Sequence, residues 1–102
     1  MIAPANQLDI VGKRNDGGID LVIVAKGEID SSAKTQNLLL DKVENYLGYI
    51  LSKEFKKDFP GIDPKKAKIV LKTDREISKP IKMLCERIKE WTEKSGVQFE
   101  VQ

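Results

Sequence analysis

The stretch AKIVLKTDREISKPIKMLCERIKEWTEKSGVQFEV, residues 67–101, decides the fold. Its first seven residues are rich in β-branched and aliphatic side chains. They read as a strand with Ile69 and Leu71 on one face and Val70 on the other. Ser78 can cap a helix, and Pro80 is tolerated in a first turn, where its missing N–H costs nothing. Ile81, Leu84, Cys85, Ile88, Trp91 and Thr92 then recur at helical spacing as an inward stripe. Gly96 suits the C-terminal cap. Residues 97–101 form a closing strand, with Val97, Phe99 and Val101 alternating against Gln98 and Glu100. A strand, a helix and a strand in this order form a crossover unit, which favours parallel, right-handed pairing.

Upstream of this unit, residues 1–7 read as a frayed lead-in and residues 8–13 as a first strand. Asn15, Asp16, Gly17 and Gly18 tolerate the positive φ of a tight hairpin, and they lead into a second strand over 19–26. Ile19, Leu21, Ile23 and Ala25 fall on one face; Asp20, Val22, Val24 and Lys26 fall on the other. After Gly27, any of Asp30, Ser31 and Ser32 can cap a long helix running to about Phe55. Its inward stripe holds Gln36, Leu39, Leu40, Val43, Tyr46, Leu47, Ile50 and Leu51. Lys34, Asp41, Lys42, Glu44, Asn45 and Lys53 fall opposite. Gly48 lies inside this pattern, and a close approach by the sheet would explain it. Residues 59–64, with two prolines and a glycine, turn the chain toward the third strand.

The order is therefore β-β-α-β-α-β. It predicts an α+β two-layer sandwich: a four-stranded mixed sheet with two helices on one face, in a single domain over 1–102. At 102 residues the chain has room for one core. With 40% hydrophobic residues and a net charge of only +2, it should fold without disulfides or metal.

The residues Leu38, Leu39, Leu40, Asp41, Lys42, Val43, Glu44, Asn45, Tyr46, Leu47, Gly48, Tyr49, Ile50, Leu51 and Ser52 resemble a leucine-rich helix in a family of short bacterial proteins. That family is catalogued only as a domain of unknown function. Phe59-Pro60 resembles its loop, and residues 77–84 resemble the start of its second helix. The family often carries an acidic stretch with His and Trp between hairpin and helix. Here Ala25-Lys26-Gly27-Glu28-Ile29-Asp30 keeps the acids and lacks both aromatic types. The resemblance implies a fold and a bacterial origin, and no activity.

Composition narrows the chemistry. Absence of histidine and a single cysteine, Cys85, remove serine–histidine and cysteine–histidine pairs and His/Cys zinc sites. A lone cysteine also points to a reducing cytoplasm. The N-terminus lacks a signal-peptide pattern, and no apolar run reaches a membrane span, so no membrane partner is expected. Nothing in the sequence asks for a cofactor. Glu28 and Asp30 could hold a hard cation, yet a helix cap is the simpler reading. Asp9 and Asp20 can face each other across the hairpin as an exposed pair. Cys85, on the apolar stripe, reads as a buried thiol.

Two surfaces suggest partners. Lys53, Lys56, Lys57, Lys65, Lys66, Lys68 and Lys72 stand against only three acids in the same segment. This basic patch could serve a nucleic-acid accessory protein, although the chain has only three arginines. A solvated lysine face is the simpler account, so nucleic acid is not the expected partner. Val22, Val24 and Val70 would point away from the helices, and an uncovered valine face would suit a protein partner or a homodimer. The favoured reading is a non-catalytic protein-interaction module, self-associating or of the immunity type. A carboxylate-based, metal-dependent enzyme is the weakest alternative.

Overall fold

The computed structural model describes residues 10–27 and 29–102; the expected lead-in over 1–7, Asp9 and Glu28 lie outside them. The strands are β1 (Ile10–Lys13), β2 (Ile19–Ala25), β3 (Ala67–Thr73) and β4 (Gln98–Val101). The helices are α1 (Ala33–Ile50), α2 (Lys53–Asp58) and α3 (Lys79–Lys94). One sheet runs in the order β1-β2-β3-β4. β1 pairs antiparallel with β2, while β2–β3 and β3–β4 are parallel. The fold is the expected α+β mixed sheet.

Both parallel connections step the same way across the sheet. Right-handed crossovers therefore place α1 and α3 on the same face. Burial agrees: Ile19, Leu21, Ile23, Ala67, Ile69, Leu71 and Phe99 all point into the helical layer and are closed to solvent.

The hairpin turn is built as its residues suggest. Arg14 donates its N–H to the Gly18 carbonyl at 2.9 Å, Gly18 N–H donates to the Asp16 carboxylate at 2.9 Å, and Gly17 has φ +84°. Gly18 is required for a different reason, close approach. A Cβ there would lie 2.6 Å from the Lys66 carbonyl oxygen and against the Arg14 guanidinium. That guanidinium binds the Asp16 and Asp20 carboxylates and the Ile19 and Lys66 carbonyls. Lys66 returns an N–H to the Asp16 carbonyl at 3.0 Å. The turn is thus tied to the entrance of β3.

Four expectations for the long helix need correction. It does not run unbroken to Phe55. α1 ends at Ile50, and Ser52 starts α2 by accepting from Phe55 N–H at 3.3 Å, which makes three helices. Leu51 sits at the break and is thrown outward, 57% exposed, instead of joining the inward stripe. Gly48 meets no sheet: it shares the exposed side of Asp41, Glu44 and Asn45, with open space where a Cβ would be. Lys42 is not on that side. It is fully buried beside Val43 and about one turn from Leu39 and Tyr46, with its ammonium 5.8 Å from the Tyr46 ring centroid. Its four-carbon stem allows this, because it packs as an apolar chain.

Smaller differences lie at element ends. β2 stops at Ala25, and β4 begins at Gln98. Val97 N–H donates to Thr92 O at 3.1 Å, closing α3 at Gly96 (φ +80°) rather than joining the ladder. Ser78 holds the cap position of α3, but its hydroxyl makes no cap bond.

The two glycines predict opposite outcomes. Gly18→Ala should lose about 1–3 kcal/mol, because the Lys66 backbone must shift. Gly48→Ala should gain about 0.5–1 kcal/mol, since it sits in an exposed helix interior. Urea unfolding midpoints of the two variants, compared with wild type, check both.

Candidate functional site

The C-terminal ends of β2 and β3 open into two loops, 26–32 and 74–78, at the N-termini of α1 and α3. Open α/β sheets place ligands at such ends. Here the loops are laced to each other. Gly27 N–H donates to the Asp74 carboxylate at 2.8 Å, and the Ser31 and Ser78 hydroxyls meet at 2.7 Å. Gln36 Nε2 donates to the Ser31 carbonyl at 2.9 Å. Asp30 accepts from Ser32 N–H at 3.0 Å and from the hydroxyls of Ser32 and Thr35, both at 2.6 Å. Those bonds, Ser32's hydroxyl first and Thr35's next, hold the Asp30 carboxyl down at about 2. Ser32 itself accepts from Thr35 N–H at 3.2 Å and caps α1. A cavity of about 530 Å³ lies beside it, lined by Ile29, Asp30, Glu76, Ile77 and Ser78. Asp30 is thereby spent on local structure. Among the described residues, no three His, Cys, Asp or Glu side chains are grouped to hold a metal ion.

A larger groove, about 770 Å³, runs between α3 and β4. Its lining mixes Ile77, Cys85, Phe99 and Val101 with charged residues from α3 and from the 74–78 loop. Among the described residues β4 pairs only with β3, so the groove lies along an open sheet edge. Val101 is 38% exposed there. Cys85 faces the groove but is nearly closed, and burial pushes its thiol up to about 11. It is a poor nucleophile at neutral pH.

The seven lysines do not form one patch. Lys53, Lys56 and Lys57 ride on α2, and Lys65 and Lys66 on the 3₁₀ turn before β3; all five are exposed. Lys68 and Lys72 lie on the outer sheet face, in register with Gln98 of β4 and Val24 of β2 respectively. Lys68 pairs with Glu100 at 3.6 Å, and Lys66 is engaged by the hairpin turn. The valines do share the outer face: Val22 and Val70 are in register, with Val24 further along β2. Val70 is only 1% exposed, and Val22 and Val24 are half-buried, so the valine face is narrower than the alternation suggests. Asp20 is taken up by Arg14.

Sequence reasoning missed Arg14, the Ser52 cap and buried Lys42. Arg14 had a signal, acids two and six residues downstream across a turn. Ser52 stood three residues before Phe55, the spacing of a cap and its N–H. For Lys42 the only hint was Tyr46 one turn on, a neighbour that an exposed lysine can equally have.

Over the described residues, the fold and groove define a small α+β domain with an open-edged sheet and a helix-bordered cleft. A family model described as a family of unknown function (DUF6572) matches residues 1–102, and the chain belongs to that family. No curated protein and no solved structure matches the chain.

Two solution tests follow. Cys85 should react with a disulfide reagent at pH 8 roughly 100-fold more slowly in the folded protein than in the unfolded chain, given a thiol held about two units above its ordinary value. Equal rates would show an accessible thiolate. The low value of Asp30 gives stability that is complete above about pH 4 and lost as pH falls toward about 2. Asp30→Asn should flatten that part of the acid-unfolding curve, read by circular dichroism.

Proposed function

We propose that the protein is a non-catalytic interaction module that acts by binding another protein or a second copy of itself. The observation that carries this reading is the open edge of β4 beside a groove with an apolar floor and a charged rim. Backbone groups on a free edge bind strands of any sequence, while neighbouring side chains supply selectivity. The ionisable groups with displaced titration support the same reading. Asp30 is locked in a cap, Cys85 is held as a thiol, and desolvation and the Asp58 hydrogen bond push Tyr49 up to about 12. None is poised to exchange a proton near neutrality. A bacterial, cytoplasmic setting belongs to the proposal and fits a lone, buried thiol. No helix among the described residues is long and apolar enough to cross a membrane.

The groove is better supported as the binding surface than the outer valine face, where Val70 is already closed. Affinity capture of the tagged protein from nuclease-treated lysate of its source, followed by native mass spectrometry, tests the reading. A stoichiometric protein partner or a dimer mass is expected. A bare monomer that captures nucleic acid only when nuclease is omitted would overturn it in favour of the lysine segment.

A further inference from the structure

We propose that the groove's occupant is a second copy of this chain. The two β4 edges pair antiparallel about a two-fold axis and join two four-stranded sheets into one of eight strands. This rests on the interaction reading and makes its partner and surface specific.

The backbone supplies the first argument. Gln102 donates its N–H to the Leu71 carbonyl at 2.8 Å and accepts from Thr73 N–H at 2.9 Å. In a parallel ladder both polar groups of one residue point the same way, and the direction alternates along the strand. Gln98, Glu100 and Gln102 therefore bond toward β3. The N–H and C=O groups of Phe99 and Val101 point out of the free edge. An antiparallel partner needs such alternating residues to exchange pairs of bonds. In a two-fold arrangement Phe99 faces Val101 of the partner subunit, and Val101 faces Phe99 of the partner subunit.

The second argument is independent and comes from charge. Lys82, Glu86, Lys89 and Glu93 all line the groove from one side of α3, and their signs alternate. Two such helices lying antiparallel about a two-fold axis bring Lys82 to Glu93 of the partner subunit, and Glu86 to Lys89 of the partner subunit. Every meeting is attractive, and each occurs twice. A parallel arrangement would set like charges together. Strand and helix thus call for the same symmetry.

Their axes also fall at the same height. The strand axis passes through Glu100; the helix axis passes between Arg87 and Ile88. Val97 leaves the end of α3 through its bond to Thr92. Three strand residues later Glu100 has climbed about 10 Å at ~3.3 Å per residue. That is about seven helical residues at ~1.5 Å each, which reaches Ile88 to within a turn. One feature opposes association. The two Glu100 side chains face each other across the axis, and each has Lys68 of its own chain at 3.6 Å to offset the repulsion.

Sedimentation velocity of the full chain from about 1 to about 500 µM tests the proposal. A reversible dimer with a micromolar Kd is expected. Val101→Pro removes an outward N–H and no bond to β3, so it should raise Kd at least about tenfold. Glu86→Lys and Lys89→Glu should each raise it by about tenfold, and the double reversal should restore it, because position 86 again meets the opposite charge at position 89 of the partner subunit. Glu100→Gln should tighten the dimer. A monomer across the whole range overturns the proposal, as does a dimer indifferent to all of these changes. A dimer broken instead by Val22→Lys or Val24→Lys also overturns it, yet leaves the interaction reading standing on another surface. A monomer that also captures no protein ends both.

Discussion

Everything in this structure depends on β3 pairing in parallel on both of its sides. A parallel neighbour must be reached by a crossover, so each side of β3 commits one long helix. Both crossovers move across the sheet in the same sense, and handedness then puts both long helices on one face. The core follows from this. Ile69 and Leu71 on β3 sit at its centre, flanked in register by Leu21 and Ile23 on one side and Phe99 and Val101 on the other. So do the two sheet ends: loops that begin helices gather at one, and the hairpin, the 3₁₀ turn and α2 gather at the other.

The two ends are secured by different means. At the helix-starting end, hydroxyls and carboxylates satisfy one another: Ser31 with Ser78, Asp74 with Gly27, and Asp30 with Ser32 and Thr35. The Asp30 bonds are local and the other two run from one loop to the other, and together they hold the loops in place. At the other end a single guanidinium spans the hairpin and the entrance of β3. Arginine suits that position, because its planar fork can serve several acceptors at once. The groove between α3 and β4 lies between these two tied ends. Two of its walls, α3 and β4, are regular elements, joined by Arg75, Glu76 and Ile77 of the 74–78 loop, and regular walls favour holding a partner in one register.

Strands and their pairing were legible in the sequence because their signals are local and repeated. Alternation over 19–25 and 67–73 and the Asp16-Gly17-Gly18 turn fixed two strands and a hairpin, and the crossover rule did the rest. The helical layer was legible in the face it covers, but not in the number of its helices or in detail. Leu51 and Lys42 went to the wrong sides because periodicity assumes an unbroken helix and a charge that avoids burial. Ser52 broke the first assumption, and the apolar stem of Lys42 evaded the second. The candidate site was the least legible. Valines on the outer face are a property of the alternation along each strand by itself. An open edge is a property of what lies beside a strand, which no local pattern encodes. The alternating signs of Lys82, Glu86, Lys89 and Glu93 could be read from the start. Their meaning needed the knowledge that this side of α3 borders a free edge.

The break at Ser52 also changes how the basic end should be understood. Six residues are too few to stay helical alone in water. α2 is held by Phe55, which is buried and stacks edge-on against Tyr49 at 5.6 Å and tilted against Phe59 at 5.5 Å. The short helix is in effect a stopper, and Phe55 is its stem. Lys53, Lys56 and Lys57 are its handle: they face water because the opposite side is committed to closing the core. The positive field at this end of the molecule is thus a by-product of sealing it, placed by an aromatic anchor.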